Sequence, residues 1–363
     1  MSDMTQAAPP ILEPERPRSA ARSGRLAKAA RALSFQRVSA LYILAVIVVV
    51  FGIWVPDTFL SLGTWKSVLD TQSLTAIVAI GLAISLSAGA FDLAIGMQAG
   101  LAGIVVAKAL TAYDMPIPLA ILTTLAVSVV VGLISGLVIV RMRIDSFIAT
   151  LAMSSVLVAV VQWVSDSQQI LDLPEDFQSM GTTQFLGLTP PVWIMLAVAL
   201  VAWYVLERAP IGRYIYATGG NAEAARLAGV PVRAVVVLSL IAGGAIASIA
   251  GILSSSRIGV GDPTVGPAYL LPAFAAATLG STQFRGGRYN IAGTVLSVYV
   301  LAAGSKGLQL AGAPVWIPDL FNGLAIILAV GLARYEGTSA RAAAIRQTLR
   351  RQAKAASWKL PRE

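Results

Sequence analysis

An aspartate set inside an apolar stretch is the first residue of this sequence whose chemistry asks for a reason. Asp92 lies within Ala76 to Ala112, a stretch otherwise interrupted only by a few polar residues. An ionisable side chain there costs about 2.5–3.5 kcal/mol if it faces lipid, so it must have a partner or a task. Two tasks suit it. A bend frees backbone N–H groups that a carboxylate accepts, and broken helices of this kind line solute paths near the midplane of transporters. The local sequence, Ala88-Gly89-Ala90-Phe91-Asp92-Leu93-Ala94-Ile95-Gly96, reads as such a break. Asp92 either caps the second half-helix or meets solute, with Gly89, Phe91, Gly96 and Gln98 as its companions on the candidate pathway. Thr150, Ser154 and Gln162 are further in-membrane polar groups, and these, like Gln98, are expected to bond across helices.

A second segment, Gly212 to Val230, is more ordered than a plain connection. Gly219 and Gly220 predict a turn, Asn221 is a good N-cap, and Ala222 to Ala228 are strong helix formers with Glu223 in the first turn. Gly229 and Pro231 then stop the helix. A short exposed helix held between two spans is suited to docking a partner. A third segment, Leu279 to Arg288, joins glycines to Arg285 and Arg288 at the end of a span that contains Pro272. It suits a plain turn better than a phosphate site.

What is absent narrows the chemistry. With no Cys and no His, thiol catalysis, disulfides, Cys/His metal sites and imidazole bases are excluded. No Gly-Lys pair occurs, so the chain has no phosphate-binding loop of the GxxxxGK[ST] kind. Carboxylates suited to a catalytic site or a metal do not cluster, and a proton- or sodium-coupled carrier would need more intramembrane ligands than Asp92. No catalytic residue, metal site or cofactor is expected on this chain.

The elements that position these residues are spans. Of 363 residues, 56% are hydrophobic and 12% charged, and the mean hydropathy is +0.76. Soluble domains usually carry about 25% charged residues. The predicted fold is all-α and polytopic, with about ten transmembrane helices. They run near 38–55, two within 76–112 meeting at 88–96, then 118–140, 147–164, 192–206, 234–253, 269–284, 291–308 and 319–333. A single helix over 76–112 would be roughly 55 Å long against a core of about 30 Å, which is why it must break. A polar stretch is expected over Pro56 to Gln72. Small residues at four-residue spacing (Gly96 and Gly100, Gly132 and Gly136, Gly243, Ala247 and Gly251) mark close helix packing.

Charge sets the orientation. The net charge is +9, but it sits in a basic tail over 1–37 and another over 336–363, with Arg334 beside the second. These flank a nearly neutral transmembrane domain over 38–335, which favours contact with anionic lipid headgroups and argues against nucleic acid. A cytoplasmic N-terminus and ten spans place every basic residue inside except Lys66, Lys108, Arg257 and Lys306. Both termini are then cytoplasmic. The first apolar run reads as an anchor, because its basic leader is too long for a cleaved signal and further spans follow.

At these motifs the sequence resembles the permease subunits of ATP-binding-cassette sugar importers of the ribose/xylose/galactose type. Ser87 to Gly96 is similar to a broken-helix signature of the form TGGIDLSVG, and Gly212 to Val230 to a cytoplasmic coupling loop. Leu279 to Arg288, followed by Gly293 and Thr294, is similar to LGGTSLxGGxGxxxGT. Ala90, Ala94, Leu270, Pro272 and Tyr289-Asn290 depart from that pattern. The resemblance implies a bacterial inner-membrane protein with a separate cytoplasmic ATPase subunit that uses ATP and Mg and docks on Gly219, Gly220, Asn221, Glu223, Ala224 and Ala225. It further implies a periplasmic or extracellular solute-binding protein and a second permease chain, forming a homodimer or heterodimer. Related permeases carry sugar alcohols, nucleosides and autoinducer-like furanosyl compounds, and a sister branch carries branched-chain amino acids. A self-sufficient secondary carrier is the competing class, and it needs no docking helix.

Overall fold

The computed structural model describes residues 35–283, 287–325 and 327. Most of the N-terminal tail, the whole C-terminal tail and the later part of the tenth expected span lie outside the described residues. Helix is the regular element throughout, apart from two isolated bridges, Ile170 with Gly261 and Phe185 with Leu188. The order is α1 (Phe35–Trp54), α2 (Pro56–Phe59), α3 (Leu62–Ser87), α4 (Ile95–Thr111), α5 (Ile117–Met142) and α6 (Ser146–Val164). Then come α7 (Glu175–Thr182), α8 (Pro190–Glu207), α9 (Pro210–Gly220), α10 (Ala222–Leu227), α11 (Val232–Ile258), α12 (Val265–Ser281) and α13 (Ile291–Leu310). Helical residues resume over 317–325.

Six of these helices (α3, α5, α6, α8, α11 and α13) are long and apolar enough to cross a membrane. Residues 40–54, α4 and α12 are shorter apolar helices of the same kind. The break is where the length argument requires it, between Ser87 and Ile95. The expected polar stretch over Pro56 to Gln72 is corrected, because α3 starts at Leu62 with Ser61 as its N-cap. The polar residues that hid this turn, Asp70, Thr71 and Gln72, occupy one part of a helix whose partners are polar as well.

Burial sorts centre from rim. The most apolar window of α3 is 72% buried and that of α6 only 22%, so α3 is a core helix and α6 faces outward. Lipid is as apolar as leucine, so close packing rather than hydrophobicity must bring the helices together. The small-residue faces serve that purpose. Gly81 of α3 meets Gly243 of α11, Gly251 of α11 meets Ala99 of α4, and Gly96 and Gly100 of α4 meet Gly266 of α12. Gly132 and Gly136 of α5 lie on Leu240, Ile241 and Val237 of α11. The hub α11 thereby touches α3, α4 and α5.

The bundle has two distinct ends. At one, α7 folds onto α11: Phe177 is buried, and its carbonyl accepts a 2.5 Å bond from Ser256 Oγ. At the other lie α9, α10, the α3–α4 break and the α12–α13 connection.

Candidate functional site

The break begins as a helix terminator. Gly89 takes φ +80°, and the amides of Gly89 and Ala90 donate to the carbonyls of Leu86 and Ser85 at 3.0 Å each. That pair of reversed bonds is the Schellman arrangement, which satisfies the last carbonyls of α3 and needs a residue tolerant of left-handed backbone at the glycine position. The extended residues that follow are held by the start of α6. Ser146 Oγ accepts from the Phe91 amide and Thr150 Oγ1 from the Leu93 amide, both at 3.0 Å. Thr150 Oγ1 also lies 3.0 Å from the Phe91 carbonyl and 2.8 Å from that of Ser146. The cross-helix bonding expected of Thr150 is present.

Asp92 is fully buried, and its Oδ1 accepts from the Ala94 amide at 3.1 Å, at the start of α4. Its other oxygen has no hydrogen-bond partner. This bond is a two-residue turn onto Ala94, which is itself the N-cap position of α4 and has no side-chain cap bond. Phe91 is exposed, with its ring stacked on Phe274 of α12 at 6.3 Å. Gly96 packs against the Gly266 carbonyl rather than opening onto a passage. Gln98 is buried against Gly244, with neither amide atom bonded, so the cross-helix bond expected for it is missing. The break sits at the end of the bundle shared with α9, with Phe91 bonded to Ser146, the first residue of α6.

The second segment adjoins it. Gly219 and Gly220 do not form the expected turn; they are the last residues of α9, and the chain turns at Asn221, with φ −160° and ψ 101°. Gly219 is small for a different reason. A Cβ there would overlap the Ser87 carbonyl oxygen and come within 3.0 Å of the Gly89 nitrogen. Gly220 has open space around it. Two motifs separated by some 130 residues of sequence thus meet backbone to backbone.

Beyond Gly219, Asn221 Oδ1 caps α10 by accepting from the Ala224 amide at 2.9 Å. Glu223 and Arg226 form an exposed pair at 2.5 Å. The bond and charge of Arg226 hold the Glu223 carboxyl below its usual range, so it is ionised at neutral pH. Ala222, Glu223, Ala224 and Leu227 are exposed, and Leu227 is 79% exposed. Ala225 is buried, so it anchors α10 to the bundle and is not part of the outward face. Gly229 at φ +85° ends the helix as expected.

The third segment is also tied to α9. Tyr216 donates to the Tyr289 carbonyl at 2.8 Å, and the Arg288 guanidinium lies over the Tyr216 ring at 4.2 Å. Asn290, which departs from the family pattern, holds this connection together. Its Nδ2 donates to the carbonyls of Gly280, Gln283 and Arg288 at 3.0–3.2 Å, while its Oδ1 accepts from Gly293 to start α13. Phe284 to Gly286 lie outside the described residues.

A cavity of about 380 Å³ lies toward the opposite end, between α3, α11, α12, α13 and the helical residues after 317. Thr71, Gln72, Ser254, Tyr269, Ser305 and Asn322 are among its lining residues. Arg257 is on its wall, paired with Asp70 at 2.8 Å and bonded to Thr71 at 3.2 Å. Sequence reading missed this site, although two clues were present: Arg257 on the side opposite the other arginines, and Pro272 inside a span. Its residues come from five separate helical segments, and no local pattern joins them.

Fold and site together define a multi-pass α-helical membrane protein in which a broken core helix rests on a peripheral, partner-sized helix. A family model described as branched-chain amino acid transport system / permease component matches residues 66–330, and the chain belongs to that family. It is similar to the ribose import permease protein of Haemophilus influenzae, 32% identical over 299 residues, covering 81% of this chain and 92% of the relative. It is also similar to the D-allose transport system permease protein of Escherichia coli K12, at 29% identity over 84% of this chain and 93% of the relative. The L-arabinose ABC transporter permease protein of Azospirillum brasilense is 29% identical over 79% of this chain and 84% of its own length. No solved structure matches the chain.

Proposed function

We propose that this chain is the membrane-spanning subunit of an ATP-driven importer that brings a small sugar or related polyol across the bacterial inner membrane. Its relatives include permeases named for ribose, allose and arabinose. In this reading both termini are cytoplasmic, and α9, α10 and the break lie at the cytoplasmic end. A separate ATPase binds and hydrolyses ATP with Mg, a solute-binding protein delivers the sugar from outside, and a second permease chain, identical or related, completes the pathway. This chain itself performs no chemistry.

The observation that carries the reading is the contact of Gly219 with Ser87 and Gly89. The outward face of α10 offers the ATPase an ionised Glu223 and a bare Leu227, while Ala225 fixes the helix to the bundle. Displacement of α9 by the ATPase reaches the end of α3 through Gly219, and reaches the α12–α13 connection through Tyr216 and Tyr289. Helices α3, α12 and α13 are walls of the cavity at the other end. Stiff helices transmit such a displacement because their packed glycine contacts leave little slack.

The test is uptake of radiolabelled D-ribose, D-allose and L-arabinose by proteoliposomes holding the permease, its ATPase and its binding protein. We expect uptake to require internal or external ATP on the ATPase side and to survive a protonophore. Collapse of uptake by the protonophore with ATP maintained would identify a secondary carrier. Uptake of L-leucine in place of all three sugars would move the chain to an amino-acid importer.

A further inference from the structure

We propose that the cavity walled by α3, α11, α12 and α13 is a solute-binding site of this chain, and that it takes an uncharged polyhydroxylated ring of pentose or hexose size. The inference rests on the importer reading above and adds to it a place and a recognition chemistry. It concerns residues that neither the break nor the docking helix includes.

Volume comes first. A cavity of about 380 Å³ is at the lower end of the ~300–1,000 Å³ typical of small-molecule sites, which suits one sugar ring and excludes a large solute. A second chamber of about 170 Å³ shares Thr71, Gln72, Ser305 and Gln309 with it, so the space continues between α3 and α13.

The wall chemistry selects among small solutes. A sugar hydroxyl both donates and accepts, so its site needs donors and acceptors interleaved and no net charge. Gln72 and Asn322 supply both through their amides, and Tyr269 supplies a hydroxyl that is bonded to Ser254 Oγ at 3.1 Å. The Ser305 hydroxyl oxygen is buried with no partner in the chain. In the wall of α12, Pro272 has no N–H to give the carbonyl of Ala268 one turn earlier. Unmade bonds of this kind are costly in an apolar surround and are offset when a solute hydroxyl completes them.

Charge argues in the same direction. Among the described residues the one ion on the wall of this cavity, Arg257, is paired with Asp70 at 2.8 Å. Asp70 is also bonded to Thr189 Oγ1, which fixes it against release. A zwitterionic amino acid would need an unpaired anion facing its ammonium group, and no carboxylate is among the described residues that line either chamber; the one further cation, Lys306, belongs to the smaller chamber. The discriminating feature is a balanced set of neutral hydrogen-bonding groups, with the Ser305 hydroxyl among them left without a partner.

The chain has no native cysteine, so a single introduced thiol reports one place. Ser305→Cys and, from the facing helix, Gln72→Cys would each be assembled with the ATPase and binding protein in nanodiscs. Their modification by a methanethiosulfonate reagent would be followed by intact mass. D-ribose, D-allose or L-arabinose is expected to slow the reaction about tenfold when nine-tenths of the sites are filled, and L-leucine to leave it unchanged. Gln168→Cys, exposed at the same end of the bundle, is expected to react at one rate under all conditions. Two variants are used so that misfolding of one leaves the other to decide. Equal rates with and without sugar at both cavity positions, no reaction at either, or equal protection of Gln168→Cys overturns the site. If the complex of unaltered sequence still imports sugar in that case, the importer reading stands without it. If that complex imports no sugar, the importer reading fails and the site falls with it.

Discussion

Thr150 holds the break at two levels where Asp92 holds it at one. The threonine hydroxyl accepts from Leu93 and reaches the Phe91 carbonyl, joining α6 to both sides of the extended residues. Thr150→Val keeps the shape and strands the Leu93 amide, which costs about 1–3 kcal/mol for a buried donor without a partner. The expected result is a clearly lower thermal midpoint in detergent, with Thr150→Ser close to the parent. Asp92 presents a narrower question, since one oxygen accepts from the Ala94 amide just before α4 and the other is unbonded. Asp92→Asn retains a carbonyl acceptor and is expected to preserve stability and uptake, whereas Asp92→Ala loses the bond to Ala94 and impairs uptake. Full uptake with an unchanged midpoint in Asp92→Ala would remove the structural task and the pathway task alike. The break itself was legible because helix length and bilayer thickness conflict over 37 residues. Its dependence on Ser146 and Thr150 was not, because those side chains lie more than 50 residues away and nothing local distinguishes them from other small polar residues in spans.

At the scale of elements, α9 and α10 show how one dipeptide carries two different constraints. A Gly-Gly pair ahead of an N-cap is ordinarily a turn. Here both glycines complete a helix, and only Gly219 is constrained, by its approach to Ser87 and Gly89. Gly219→Ala must force backbone apart, and overpacking of that kind costs about 1–3 kcal/mol. With the ATPase still bound and hydrolysing ATP, sugar uptake by Gly219→Ala is expected to fall about tenfold or more, a loss equivalent to ~1.4 kcal/mol. Gly220→Ala, with free space around it, is expected to match the parent. Equal behaviour of the two variants would show that the contact transmits nothing. Glu223→Arg addresses the outward face, where it places two like charges one turn apart and reverses the sign presented to a partner. The expected outcome is an inserted, stable permease that no longer co-purifies with its ATPase. The cap at Asn221, the helix after it and the stop at Gly229 were legible because each depends on neighbours within a few residues. The meeting of Gly219 with Gly89 depends on the packing of α9 against α3, which no window of sequence contains.

At the scale of the whole molecule, orientation follows from charge, and the exceptions test the rule. Of the four basic residues expected on the outer side, Lys108 pairs with Asp166 at 3.5 Å and Arg257 with Asp70 at 2.8 Å. The bias follows the count of Lys and Arg, and the four exceptions are few beside the basic residues expected inside. The acidic connection over 165–191 supplies Asp166, and with no Lys or Arg of its own it suits the outer side. The proposed orientation has α7 outside and α10 inside, at opposite ends of the bundle. Because the sequence has no cysteine, this can be read directly in intact cells with single thiols. A membrane-impermeant maleimide is expected to label Gln168→Cys at once, and Glu223→Cys only after the membrane is permeabilised. The reverse pattern would place α10 where no ATPase can reach it, and the coupling through Gly219 would then have no motor to serve. Labelling of both thiols before permeabilisation would instead mean that the positive-inside bias, so evident in the two basic tails, does not fix this chain in one orientation.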